Sequence, residues 1–255
     1  MEMIDLNNLV VITDFDHTLT SFDSESTWGI LDSKEVLPKD CIKKCEEFKN
    51  YYLPIENNFD LSFDIKNKLM NDWYTNHLNL FIKYKLNEKV LNDITSNKYC
   101  LKFRKSADRF LKFTYKNNIP VIIISAGISN VIENYLKAND CLFDNIYIIS
   151  NIIKFKDGII KGFRNNIIHS LNKDKIIYPV NVKNIFLNKK NILLIGDNIS
   201  DISMIPKEYK DSALKIAFLN DYSNCYEVYK KNFDIVYNAD SSFDNIINML
   251  KKVTH

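Results

Sequence analysis

Glycine and proline are scarce in this sequence, with five of each in 255 residues, so each one marks a turn more tellingly than usual. No apolar stretch has the length needed to span a bilayer. Met1 to Asn8 holds acids and no apolar core, which speaks against a signal peptide. An excess of charge of one sign is missing too. The 34 basic and 32 acidic residues leave a net charge of +2, which gives no electrostatic basis for binding a nucleic-acid polymer. The five cysteines, Cys41, Cys45, Cys100, Cys141 and Cys225, are odd in number and have no pairing rhythm. That pattern fits a reducing compartment better than a disulfide framework. Cys41 and Cys45 are spaced to share a helix face, but no second Cys or His pair stands beside them to complete a zinc site. They read as packing residues. Repeats and low-complexity linkers are also absent.

What is present is apolar surface. A hydrophobic content of 46% and an aromatic content of 13% supply a full core and exclude disorder. The length fits one large domain, or a core carrying one inserted module.

Leu9 to Thr13 is a β-branched run that ends in Asp14 and reads as a buried strand with an acid at its tip. Further strands are expected at Val121–Ile124, Ile146–Ile149, Ile192–Ile195, Lys215–Leu219 and Asp234–Tyr237, with a hairpin turning at Asp157-Gly158. Ala107 to Asn117 has the spacing of an amphipathic helix, and residues 28–104 repeat apolar positions at helical spacing with hardly a glycine. Strand–helix alternation with continuous apolar strands predicts an α/β fold, a parallel sheet covered on both faces and interrupted by a helical insert. In such folds ligands lie at the carboxyl ends of the strands.

Three of those ends are polar: Asp14-Phe15-Asp16, Ser125-Ala126-Gly127 and Gly196-Asp197. Asp14 and Asp16 suit either a helix cap or a nucleophilic carboxylate with a neighbouring acid. Asp197 and Asp201 are four apart and stack if a helix begins at once. Their alternative is again a capped helix. Carboxylates gathered in one crevice repel and raise one another's pKa unless a cation neutralises them. Oxygen-only ligands select a hard ion, with Mg²⁺ usual where a phosphate shares the shell. Ser125 with the following amides, at a helix start, offers an anion its hydroxyl and N–H groups. Residue spacing alone does not single out a lysine to face the phosphate.

The order Asp-x-Asp-x-Thr after a first strand, Ser after a second, Lys, then Gly-Asp-x-x-x-Asp resembles the haloacid dehalogenase superfamily. Tyr51-Tyr52-Leu53-Pro54-Ile55-Glu56, Asp72-Trp73-Tyr74-Thr75, Gly162-Phe163, Ile168 to Lys173, Gly196 to Asp201 and Asp234-Ile235-Val236 narrow this further. Together they resemble the cytosolic pyrimidine 5′-nucleotidases, the type-three cytosolic nucleotidases, along nearly the whole chain. The resemblance implies a haloacid-dehalogenase-like Rossmannoid core over residues 1–27 and 105–255, with a helical cap over 28–104. It implies that Asp14 attacks phosphorus and that Asp16 serves as acid and then base. Mg²⁺ is implied on the Asp14 carboxylate, the Asp16 carbonyl and Asp197, with Asp201 behind. Ser125, Ala126, Gly127 and Lys173 are implied to bind the phosphoryl group. Glu56 is implied to read the nucleobase, and Trp28 and Tyr74 are the stacking candidates, with core packing as their alternative.

The expected substrate is a nucleoside monophosphate, hydrolysed in the cytoplasm without a membrane or an obligate protein partner. The chain departs from the family pattern at Trp28, Gly29 and His77, near the expected base pocket. A phosphoserine-phosphatase-like hydrolase, a phospho-accepting receiver domain and an idle nucleotide-binding relative are the competing readings. The cap stretches, the chain length and the intact Asp14–Asp16 pair speak against them in turn.

Overall fold

The computed structural model describes residues 5–56, 58, 60–164, 166–220 and 226–252. Its centre is a six-stranded, wholly parallel sheet in the order β3-β2-β1-β6-β7-β8. The strands are β1 Leu9–Thr13, β2 Val121–Ile128, β3 Ile146–Asn151, β6 Asn191–Gly196, β7 Leu214–Leu219 and β8 Ile235–Asn238. β4 Ile153–Lys156 and β5 Ile159–Phe163 form the separate hairpin expected at Asp157-Gly158.

Every residue of β1 is buried. Leu9 and Val11 pack into one apolar cluster while Val10 and Ile12 pack into another. Strand side chains alternate between faces, so an unbroken apolar run is the signature of a strand covered on both sides. On the first face lie α5 Ala107–Lys116, α6 Ser129–Ala138 and α9 Asp244–Lys252. On the second lies α7 Val180–Asn188, through Val182 and Phe186; Phe233, just past α8 Tyr226–Asn232, joins the same cluster.

Four helices occupy the expected insert: α1 Thr27–Leu31, α2 Lys39–Glu56, α3 Phe63–Lys83 and α4 Glu88–Thr95. Ser26, Ser62 and Asn87 cap α1, α3 and α4 with side-chain oxygens that accept otherwise orphaned backbone N–H groups. From β1 the chain first builds outward through β2 and β3, then returns to the other side of β1 for β6. That reversal leaves a crevice at the carboxyl ends of β1, β2 and β6, the place such sheets bind ligands. No helix of the described residues is long and apolar enough to cross a membrane.

Candidate active site

The segment after β1 turns sharply. His17 adopts a left-handed φ of 58°, a strained conformation for a side-chain-bearing residue that needs support from its surroundings. Arg104, only 2% exposed, provides it. Its Nη2 donates to the His17 carbonyl at 2.6 Å and its Nε to the Thr18 carbonyl at 2.9 Å, while the guanidinium lies 4.0 Å from the Phe218 ring centre. Asn220 Nδ2 also donates to the His17 carbonyl, at 3.1 Å, and to Asp197 Oδ2, at 3.0 Å.

Held in this way, Asp14 faces Lys173. The buried Lys173 Nζ donates to Asp14 Oδ1 at 2.9 Å and to Asp201 Oδ1 at 2.7 Å. Burial works against the Lys173 ammonium, but the Asp14 and Asp201 carboxylates outweigh it and hold its pKa above the ordinary lysine value. Desolvation, opposed by Lys173 and assisted by Asp201 and Asp197, pushes Asp14 well up. Desolvation and then Asp201 push Asp197 up to about 7. Oxygens of Asp14, Asp197 and Asp201 lie within 4.8 Å of one another. One lysine therefore confronts three carboxylates, and this all-oxygen, electron-rich group fits a hard divalent cation.

Asp201 does not stack one helical turn beyond Asp197, because a 3₁₀ turn over Ile199–Met204 replaces an immediate α-helix. Asp201 instead turns back, and its Oδ2 accepts from the Asp197 and Asn198 amides at 3.1 and 3.0 Å. Gly196 is required for this: a Cβ there would come within 2.4 Å of Asp201 Oδ2. Asp201 thus has one oxygen on Lys173 and the other on backbone amides.

Asp16 points at α1. Its oxygens accept from the Thr27 amide at 2.9 Å and the Thr27 hydroxyl at 2.8 Å. Burial raises its pKa, and the Thr27 bonds only partly offset this. Ser125, Ala126 and Gly127 lie opposite. The sequence suggests a helix start here, but β2 continues through Ile128 with an irregular register to β3, and α6 begins at Ser129. The serine is thus delivered by a strand end. Ser125 Oγ accepts from the Gly127 amide at 2.9 Å. A Cβ on Gly127 would come within 2.2 Å of Thr27 Oγ1 and 2.8 Å of Asp16 Oδ2.

One cavity of about 410 Å³, within the usual range for small-ligand sites, joins this cluster to the helical insert. Asp14, Asp16, Ser125, Lys173 and Asp197 line it together with Glu56, Trp28 and Tyr74. Glu56 ends α2 and accepts a hydrogen bond from Ser170. Burial raises its pKa against the lowering effect of Ser170. Trp28 Nε1 donates to the Ala126 carbonyl at 3.0 Å, tying the insert to the end of β2. One Trp28 face lies nearly parallel to Phe81, at 5.8 Å, and Tyr74 meets Trp28 edge-on at 5.1 Å.

Thr27, Arg104, Asn220, Ser170 and Trp73 were not legible as site residues in the sequence. An isolated threonine, arginine or asparagine carries no spacing signal, and each acts here through a distant contact. Trp73 Nε1 and Ser200 Oγ are buried without a hydrogen-bond partner, and both residues line the cavity. They offer a ligand a donor and a hydroxyl.

The family description pyrimidine 5′-nucleotidase (UMPH-1) matches residues 13–254. The 7-methylguanosine phosphate-specific 5′-nucleotidase of Mus musculus is 32% identical, over 98% of this chain and 86% of its own length. Among solved structures, cytosolic 5′-nucleotidase IIIB bound to cytidine is similar with a TM-score of 0.84 at 23% identity, covering 98% of this chain and 87% of that one. A substrate-bound phosphoserine phosphatase is similar with a TM-score of 0.61 at 18% identity, covering 96% and 98%. These structures share the haloacid-dehalogenase-like fold, and only the sequence comparisons separate the two activities. By sequence over almost its whole length, the chain belongs to the pyrimidine 5′-nucleotidase family.

Proposed function

We propose that the chain is a Mg²⁺-dependent cytosolic 5′-nucleotidase that hydrolyses pyrimidine or methylated-purine nucleoside 5′-monophosphates to nucleoside and phosphate. The observation that carries this reading is that Asp14, Asp16, Ser125 and Lys173 line one cavity together with the half-buried Glu56 carboxylate and the aromatic rings of Trp28 and Tyr74. Asp14 attacks phosphorus in line: its oxygen–phosphorus bond forms as the bond to the nucleoside O5′ breaks. Asp16, whose carboxyl burial pushes above its ordinary pKa, gives a proton to O5′. Water then attacks the aspartyl-phosphate while Asp16 takes a proton back, freeing phosphate and Asp14. Lys173 and Ser125 balance charge on the phosphoryl oxygens. The residues that would hold Mg²⁺ are Asp14, Asp197 and the Asp16 carbonyl, with Asp201 behind; the ion supplies charge neutralisation at the phosphoryl group. Residues 28–104 serve as the cap that excludes water.

Mg²⁺ competes with a proton for Asp197. Its affinity is expected to weaken by about tenfold per pH unit below about pH 7, as titration calorimetry across pH would show. The sign for stability follows from the same raised pKa. The metal-free native state keeps a proton that the unfolded chain has released, so its stability declines as pH climbs from about 4 to about 7. Invariant Mg²⁺ affinity over that interval would contradict the assignment of Asp197 as a ligand.

Glu56, when ionised, only accepts hydrogen bonds, so it favours bases that present an N–H donor. Glu56→Gln is expected to reduce kcat/KM on cytidine or 7-methylguanosine monophosphate by about tenfold or more, equivalent to roughly 1–3 kcal/mol. Hydrolysis of a base-less phosphomonoester should scarcely change, because Asp14 and Asp16 are untouched. Equal losses on all substrates would show that Glu56 supports the insert rather than reading the base. No loss on any would leave a phosphomonoesterase, phosphoserine-phosphatase-like, without base recognition.

A further inference from the structure

Away from the acidic pocket, one other group of metal-ligating side chains converges among the described residues. Asp32 is the C-cap of α1, Cys45 lies on α2 and His77 on α3, so three elements supply one donor each. Their oxygen, sulfur and nitrogen atoms all lie within 4.8 Å of one another. His77 Nε2 sits 3.0 and 3.1 Å from the two Asp32 oxygens. Cys45 is 1% exposed and His77 5%. Trp28, Phe48 and Phe81 surround the imidazole and fix its plane. Cys41, one turn earlier on α2 and fully buried, adjoins the Cys45 thiol. The sequence shows only the Cys41–Cys45 spacing; the fold supplies the histidine and the acid that the spacing lacks.

We propose that Asp32, Cys45 and His77 form a structural zinc site that fastens α1, α2 and α3 together, completed by Cys41 once its thiol swings in from beside Cys45. Sulfur and imidazole nitrogen select Zn²⁺ over Mg²⁺, the reverse of the all-oxygen pocket. Zinc with ordinary bond lengths holds tetrahedral donors roughly 3.3–3.8 Å apart, so the three donors need close in by little more than about 1 Å. Ligation through Nε2 leaves the His77 ring proton on Nδ1, and the two thiol protons leave to solvent. The Asp32 side chain, 24% exposed, forms the open edge by which an ion enters. Asp32 and His77 also line the cavity shared with Glu56 and Trp28, so the ion would stiffen the wall of that cavity. The site needs no particular substrate, and its test is independent of the reaction.

The test is metal analysis of the full chain, loaded with zinc and dialysed into Mg²⁺ buffer, followed by replacement with Co²⁺. Stoichiometric retained zinc and a thiolate-to-cobalt charge-transfer band in the near ultraviolet are expected. Asp197→Ala should keep the band, since an all-oxygen site produces none. Cys45→Ser and His77→Ala should each lose the zinc and weaken or abolish the band. Should those variants not fold, the wild-type cobalt spectrum decides alone. A folded wild-type chain without retained zinc and without the band would overturn the proposal, as would an unchanged band in folded Cys45→Ser.

Discussion

Asp14→Asn is expected to lower kcat by about 10⁴-fold or more, because the amide cannot form the aspartyl-phosphate. Asparagine has nearly the same shape, and its carbonyl oxygen can still accept from Lys173 Nζ, which lies 2.9 Å from Asp14 Oδ1. The strand end that carries it is braced independently by Arg104 and Asn220. The variant should therefore fold and bind substrate, with the loss confined to the chemical step. Steady-state rates on a nucleoside monophosphate and on a simple phosphomonoester, together with thermal unfolding, separate these effects. Beryllium fluoride, a mimic of the phosphorylated aspartate, should bind wild type and fail to bind the variant. Residual activity near the wild-type level would mean that water attacks phosphorus directly.

Lys173→Met should damage both stability and activity. Nζ makes short contacts to two buried carboxylates, Asp14 and Asp201. Removing the cation leaves them opposed and desolvated, and breaking a buried pair in this way costs about 3–5 kcal/mol. The loss should be largest in chelator and at neutral to alkaline pH. Acidification would relieve it, since protonation removes the uncompensated charge. Mg²⁺ should recover part of the stability. Activity should stay low even with Mg²⁺, by about 10²–10³-fold, the usual scale for losing one electrostatic contact to the transition state. Denaturant unfolding with and without Mg²⁺, paired with kcat, measures both effects. A fully stable metal-free Lys173→Met would show that the carboxylates tolerate one another without the lysine.

The sheet was legible because its strands are covered on both faces. β1, β2 and β6 read as unbroken apolar runs, and each run stops where a polar tip emerges into the crevice. Asp14, Asp16, Asp197 and Asp201 were visible for the same reason: acids concentrated at strand tips stand out against an apolar background. Local geometry was less legible. The 3₁₀ turn at Ile199–Met204 depends on the way Asp201 folds back onto the Asp197 and Asn198 amides, and the extension of β2 to Ile128 on register with the distant β3. Glu56, Trp28, Tyr74 and Lys173 were reached through family resemblance, because charged and aromatic residues on helices and loops carry no periodic mark. Thr27 and Arg104 were not reached at all. Their work is done across 11 and 86 or more residues of chain, and only the folded molecule brings the partners together.

Chemical capture of the intermediate tests the covalent mechanism most directly. The enzyme is mixed with Mg²⁺ and a nucleoside 5′-monophosphate, quenched during turnover and treated with borohydride, which reduces an aspartyl-phosphate to homoserine. Mass spectrometry of the peptide spanning β1 and Asp14 then locates the modified residue. Homoserine is expected at position 14, dependent on both substrate and Mg²⁺ and absent from Asp14→Asn. Turnover that proceeds while Asp14 remains unmodified, or homoserine at another aspartate, would contradict that mechanism.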